Sequence, residues 1–347
     1  MTTKPTANQK IGILTAGGDC PGINAAIRGI GKTAIVKYNM QVIGISDGFT
    51  GLINKEFIEL NENDLSGILT HGGTILGTSR EKPYKSNGKG KPDLRKPLLI
   101  KEHYEQMGLD CLVCIGGNGT MKTANLLSKE GLNVIGIPKT IDNDVWGTDR
   151  SFGFDSAVNI ATEAIDRLHS TANSHKRIMI IELMGHNAGW ITLYAGIAGG
   201  GDVILIPEID YYEEKVAEYI LKRANERKAY SIVVVAEGIR VQGKERSAAG
   251  YISKVISELT GIDTRQTVLG YIQRGGTPSP MDRILATRYG SAAADLIAAK
   301  KYGMMVAMRN NTITSIPLSE VAGKTRLVEP DNPLISKAVG MGTSFGF

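Results

Sequence analysis

The chain has 347 residues, 42% hydrophobic and 22% charged, a globular balance that excludes disorder and a coiled coil and allows one large domain or two ordinary ones. No apolar run approaches the ~18–20 residues of a membrane span, and the polar start MTTKPTANQK lacks the apolar core of a secretory signal and reads as a short lead-in to the first strand. Forty basic against 35 acidic residues give +5, scattered rather than gathered into the stripe that nucleic-acid binding uses; the excess suits small anionic substrates, and three cysteines point to a reducing cytoplasm.

Forty-two glycines are about 12% of the chain against a usual ~7%, and they collect where apolar runs stop. Residues 11–15 (IGILT) predict a strand that stops at AGGDCPG (16–22), and INAAIRGIGKTAIVKY follows with helical spacing. The lysine-rich stretch REKPYKSNGKGKPDLRKP (80–97) reads as a solvated surface loop. Residues 111–115 (CLVCI) stop at GGNGT (116–120), before the helix MKTANLLSKEG. Cys111 and Cys114 form a C-x-x-C inside that apolar run, and with no second pair to complete a zinc site they read as core. Residues 133–137 (NVIGI) stop at PKTIDND (138–144), where Pro138 is expected to end the strand, before a helix over roughly Ser156 to Ala172. Residues 177–183 (RIMIIEL) stop at MGHNAGW before ITLYAGIAGG, and residues 231–235 (SIVVV) stop at AEGI.

Short Val/Ile-rich runs alternating with helices argue for β-α-β units and parallel sheets covered on both faces. The fold class expected is α/β, two Rossmann-like three-layer α/β/α domains with mostly parallel sheets facing a cleft, and a first crossover near residue 150. In such sheets ligands bind outside the carboxyl ends of the strands. Those ends here carry glycines, carboxylates and arginines.

Consecutive glycines after a strand let backbone N–H groups approach phosphate oxygens while the following helix adds its positive end; GGNGT and AGGDCPG are two such loops. In PKTIDND, Asp142 and Asp144 stand two apart in an irregular segment beside Lys139 and Thr140. A turn or helix cap explains either aspartate singly, but two carboxylates this close repel unless a cation compensates. The chemical reading is one carboxylate taking a proton from a substrate hydroxyl while the other manages magnesium or water. Arg177, Arg265 and Arg274 recur near strand ends, where the planar guanidinium suits phosphate. Together these features describe phosphoryl transfer to a phosphorylated alcohol.

Across roughly residues 10–290 the motifs GILTAGGDCPGINAAIRG, GGTILGTSR, IGGNGT, PKTIDND, SHKR, MGHNAGW, AEG and TVLGYIQRGGTPSPMDR occur in an order and spacing that resembles the phosphofructokinase family. The resemblance implies that Asp142 deprotonates the 1-hydroxyl of fructose 6-phosphate, that Thr140 contacts the transferring phosphoryl group, and that Asp144 acts close to Mg2+ with Asn118 as its companion ligand. Gly18, Arg80, Gly117, Asn118, Gly119 and Thr120 would hold the donor. Met184, Gly185, His186, Glu237, Tyr271 and Arg274 would hold the sugar phosphate, with Arg177 and Arg265 reaching that of a neighbouring subunit in a homotetramer with shared sites. It also implies a larger, donor-binding domain of residues 1–150 plus about 274–320 and a smaller, sugar-phosphate-binding domain of residues 151–273 plus about 321–347.

Two positions bear on the donor. Gly119 stands where ATP users of the family carry Gly and pyrophosphate users Asp, and it leaves space for the α-phosphate of a nucleotide. Lys139 stands where pyrophosphate users carry Lys, whose ammonium would stabilise a leaving phosphate. Space is the harder requirement, so ATP is favoured, with reversible pyrophosphate-dependent transfer as the alternative. Three departures from the family pattern are Asn118 for the usual Asp, a weaker partner for a hard cation; His186 for the usual Arg, only partly cationic near neutral pH; and Tyr271 for the common His. They motivate the further alternative of a catalytically silent sugar-phosphate binder. In the family's effector site Arg28, Lys32 and Lys228 keep a basic character, while Glu62, His169 and Glu226 replace basic residues, which implies weak or absent control by anionic effectors.

Overall fold

The computed structural model describes residues 9–85, 95–242 and 247–347. Most of the polar lead-in and residues 86–94 of the surface loop expected over 80–97 lie outside the described residues, and the end of that expected loop is helical from Arg95 on. In chain order the elements are β1 (Lys10–Thr15), α1 (Ile23–Lys32), β2 (Gln41–Ile45), α2 (Phe49–Asn54), β3 (Phe57–Leu60), α3 (Arg95–Gln106), β4 (Cys111–Gly116), α4 (Asn118–Lys129), β5 (Val134–Thr140) and the two-residue β6 (Phe152–Gly153). There follow α5 (Phe154–His175), β7 (Ile178–Leu183), α6 (Trp190–Ala198), β8 (Val203–Leu205), α7 (Glu213–Asn225), β9 (Ser231–Ala236), α8 (Ala248–Thr260) and β10 (Thr264–Val268). The chain ends with α9 (Pro280–Ala298), β11 (Met304–Arg309), β12 (Thr312–Pro317), α10 (Leu318–Val321) and α11 (Pro333–Gly340).

Contacts divide the chain into two compact units, Met1–Thr140 with Asp144–Gly153 and Gly275–Thr325, and Ile141–Asn143 with Phe154–Arg274 and Arg326–Phe347. The first holds a sheet in the order β12-β11-β5-β4-β1-β2-β3, with β6 paired to β5. Its central pairs are parallel and only the edge pairs β2–β3 and β11–β12 are antiparallel. The second holds the all-parallel sheet β10-β7-β9-β8. Every residue of β4, β5, β7 and β9 is buried. Because successive side chains in a strand point to opposite faces, such strands are covered on both sides. On one face of the first sheet Leu14, Leu112, Cys114 and Val134 pack with Tyr104 of α3 and with Met121, Ala124 and Leu127 of α4. Cys20, Cys111 and Cys114 are buried and form no disulfide, and burial pushes the Cys111 and Cys114 thiols well above the usual range.

Pro138 does not end its strand: β5 runs on to Thr140. Pairing with β11 stops at Gly136 and pairing with β6 starts at Lys139, so the proline, which has no N–H, falls in the gap between two partners on that side. Lys139 and Thr140 are therefore held by the sheet, and within PKTIDND only residues 141–144 are irregular. No described helix is long and apolar enough to cross a membrane.

Candidate active site

In the first unit β1 and β4 are parallel neighbours with Thr15 opposite Ile115, so the glycine turns that follow them leave the sheet side by side. Helix α4 starts at Asn118 with Gly117 as its N-cap, earlier than the spacing suggested. GGNGT is therefore the strand end plus the first turn of a helix, whose leading N–H groups have no partner within the helix and suit a phosphate. Thr120 is buried and donates from Oγ1 to the Ala16 carbonyl (3.5 Å). Ser79 bridges to Ala16, its carbonyl accepts from the Gly17 N–H (2.9 Å), and Thr78 Oγ1 donates to the Gly17 carbonyl (2.7 Å). These bonds bring the exposed Arg80 beside the 16–22 turn. A Cβ at Gly119 would meet nothing within 4 Å.

β5 lies next to β4 with Pro138 opposite Gly116. A Cβ at Gly117 would lie 3.5 Å from the Lys139 carbonyl oxygen and 3.9 Å from Thr140 Cβ. Lys139 is 2% exposed, and its Nζ donates to the Gly18 carbonyl, so the ammonium ties the end of β5 to the turn after β1. The Thr140 carbonyl accepts from Ser151 Oγ (2.9 Å). Asn118 Nδ2 donates to the Asp144 carboxylate (2.8 Å) and to the Asp144 carbonyl (3.1 Å). Asn118 Oδ1 is buried with no hydrogen-bond partner. Among the described residues no group of three or more His, Cys, Asp or Glu side chains could hold a metal ion. An unengaged amide oxygen beside a carboxylate nevertheless suits Mg2+, which keeps most of its waters and binds through one or two protein ligands plus substrate phosphates.

Residues 141–143 belong to the second unit. Ile141 is fully buried, Asn143 is 4% exposed with φ 52°, and Asp142 between them is half-buried. Elsewhere in this unit Met184, Gly185 and His186 form the turn after β7. Glu237 Oε1 accepts from the N–H groups of Gly185 (3.3 Å) and His186 (2.8 Å). The turn is tight: a Cβ at Gly238 would lie 2.0 Å from the His186 carbonyl oxygen. His186 and Glu237 line a 430 Å³ cavity with Glu182, Asn187, Gly238, Val241, Ser247 and Ala248. Glu182 is a residue that the sequence reading missed, although it is the one carboxylate in RIMIIEL. It is 8% exposed, its Oε2 accepts from the Ala249 N–H in the first turn of α8 (2.8 Å), and burial pushes its carboxyl above the usual carboxylate range.

Arg177 and Arg265 do not line this cavity. They converge instead on Asp263, another residue missed, with Arg177 Nε 2.6 Å from Oδ2 and Arg265 Nη1 on Oδ1. Burial would raise the Asp263 carboxyl, and the two guanidiniums outweigh it to hold the pKa low. Arg265 lies on β10, an edge strand. Tyr271 and Arg274 lie on the short 3-10 turn Gly270–Arg274, Tyr271 73% exposed and Arg274 half-buried. Of the remaining residues singled out, Glu62 lies on a 510 Å³ cavity with Glu59, Gln41, Asn61 and Asn63. Arg28 and Lys32 are half-buried on α1, and Glu226 is 4.0 Å from Lys222. His169 is engaged on both ring nitrogens, by the Gly199 carbonyl (2.6 Å) and the Tyr230 hydroxyl (3.0 Å).

Residues 10–297 match the phosphofructokinase family model. The chain belongs to the phosphofructokinase family. It is 60% identical over 337 residues to ATP-dependent 6-phosphofructokinase 3 of Bacteroides thetaiotaomicron, covering 97% of this chain and 100% of that one. It is 56% identical over 363 aligned positions to the ATP-dependent 6-phosphofructokinase of Spirochaeta thermophila, covering 99% of each. Among solved structures, the phosphofructokinase of Saccharomyces cerevisiae superposes with a TM-score of 0.82 at 29% identity. That match covers 97% of this chain, which spans 47% of the yeast chain's length. Membership in the family accounts for the two glycine turns, the TIDND segment and the QRGG turn in a single chain.

Proposed function

We propose that the chain is an ATP-dependent 6-phosphofructokinase, transferring the γ-phosphoryl group of ATP to the 1-hydroxyl of fructose 6-phosphate to give fructose 1,6-bisphosphate in cytoplasmic glycolysis. One observation carries the reading: the phosphate-binding turn and the carboxylate segment meet, with Asn118 bonded to Asp144 and Gly117 packed on Thr140. Asp142 takes the proton of the sugar hydroxyl as that oxygen bonds to phosphorus and the bond to the ADP oxygen breaks. Gly18, Gly117, Gly119, Thr120 and Arg80 hold the donor, and Thr140 orients the transferring group. Met184, Gly185, His186, Glu237, Tyr271 and Arg274 hold the sugar phosphate. Asn118 and Asp144 hold the Mg2+ that arrives with the nucleotide, and that ion, when bound, neutralises phosphate charge.

The ATP-dependent relatives and the open space at Gly119 favour ATP as donor. Lys139 is the feature that favours pyrophosphate, and its bond to the Gly18 carbonyl gives the buried ammonium another task. The paired Arg177 and Arg265 at a sheet edge fit a homotetramer in which they serve a neighbour's sugar phosphate. The reading is tested by turnover of fructose 6-phosphate with ATP and with pyrophosphate side by side. ATP is expected to be used and pyrophosphate to be poor. Preferred use of pyrophosphate reverses the choice of donor, and sugar-phosphate binding without turnover on either makes the chain a silent binder.

Control by anionic effectors is expected to be weak, because Glu59 and Glu62 give one candidate surface a negative lining and His169 is engaged within the fold. Initial rates are expected to depend hyperbolically on fructose 6-phosphate and to be unmoved by a nucleoside diphosphate or phosphoenolpyruvate. A sigmoidal curve that either compound relieves overturns this expectation.

A further inference from the structure

The segment after β12 lies beyond the family-model match and carries none of the residues given a role above, yet Arg326 touches the carboxylate segment. Arg326 Nη1 donates to the carbonyl of Asn143 (3.2 Å), the residue that follows Asp142. Asn143 has φ 52° and is 4% exposed. Asparagine is one of the few residues that take this left-handed conformation as single residues, and the contacts around the turn select it here. The Asn143 carbonyl is the acceptor of this part-buried bond, and leaving a largely desolvated acceptor unpaired is unfavourable.

Arg326 is itself held. Its guanidinium stands 4.0 Å from the ring centroid of Trp190, which is 3% exposed, and Trp190 Nε1 donates back to the Arg326 carbonyl (3.2 Å). Stacking on a buried indole fixes the plane of the guanidinium and so the direction of its N–H groups. Two residues on, the Val328 N–H donates to Glu208 Oε1 (3.0 Å), which also accepts from the N–H of Gly189, the N-cap of α6 (2.9 Å). Residues 326–328 are thus pinned to the first turn of α6 at two points, and the guanidinium projects from that anchor onto the Asn143 carbonyl. All these groups belong to the second unit.

We infer that Arg326 is a positioning residue for phosphoryl transfer: stacked on Trp190, it clamps the carbonyl of Asn143 and so fixes the backbone that aims Asp142. The inference rests on the kinase reading above for its catalytic consequence, and the clamp itself is measurable without turnover. A base displaced by about 1 Å loses up to ~10²-fold in rate, while groups that bind the sugar phosphate stay where they are.

The test uses Arg326→Met in the full chain, with kcat and KM for fructose 6-phosphate and backbone amide exchange over residues 141–145. A fall in kcat of about 10- to 100-fold is expected, with KM changed less than about twofold, and with faster exchange confined to that segment. Arg326→Lys keeps the charge without the planar fork and is expected to recover only part of the loss. Should Arg326→Met fail to fold, Trp190→Phe removes the Nε1–H donor while keeping an aromatic ring, and a smaller loss in kcat with the same exchange pattern is expected. A folded variant with unchanged kcat and exchange overturns the clamp, as does a loss confined to KM. If the unaltered chain turns over neither donor but exchange still rises in Arg326→Met, the clamp stands and the kinase reading falls.

Discussion

Asp142→Ser is expected to lower kcat by at least ~10²-fold, about 2.7 kcal/mol of transition-state stabilisation, while the affinity for fructose 6-phosphate changes little. The separation follows from the role proposed for the carboxylate. Removing the proton from the sugar hydroxyl matters as the new bond to phosphorus forms, so its loss falls on the transition state rather than on the bound ground state. The backbone is also held by groups other than this side chain: Ser151 donates to the Thr140 carbonyl, Ile141 is fully buried, and Arg326 donates to the Asn143 carbonyl. The variant should therefore fold and melt like the parent. Equilibrium binding of the sugar phosphate, read beside steady-state kinetics with saturating ATP, separates the two effects. If binding and kcat fall together, Asp142 is a ligand for the sugar and another group is the base.

What could be read in the amino-acid sequence was whatever depends on local pattern. The strands β1, β4, β7 and β9 are largely apolar runs because both their faces are covered, and in each unit glycine breaks mark the carboxyl ends of strands. Strand β10, with its sequence TRQTV, is not apolar because it is an edge strand in which no residue is buried and three are exposed, and a pattern search for buried strands passes over it. Pro138 misled for a related reason: proline is a poor strand residue only where a partner needs its N–H, and pairing partners are set by the fold rather than by the neighbours in sequence. The same limit hid Glu182, Asp263 and Arg326. Each acts through a contact, to α8, to Arg177 and to Asn143, respectively, that joins distant parts of the chain. Arg265 sits only two residues from Asp263, but on a strand that spacing says nothing about Arg177, 86 positions before the carboxylate both arginines share.

Gly119→Asp is expected to reduce kcat/KM for ATP by about 10²- to 10³-fold and to leave the thermal midpoint intact. The fold accepts the change: Gly119 is the second residue of α4, its φ is not positive, and a Cβ there would meet nothing within 4 Å. A carboxylate in the first turn of a helix is moreover favourable, by about 0.3–1 kcal/mol. What it opposes is the ligand. In the proposed reading the leading N–H groups of α4 face the phosphates of the donor, and two like charges about 4 Å apart at an effective dielectric near 20 repel by about 4 kcal/mol before screening. Pyrophosphate, which has no α-phosphate carrying a nucleoside past this point, should be affected less, so the ratio of kcat/KM for the two donors is the quantity to follow. That ratio should swing toward pyrophosphate. A well-folded variant that keeps its preference for ATP would show that the donor is selected elsewhere, with Lys139 and the 16–22 turn it holds as the next place to look.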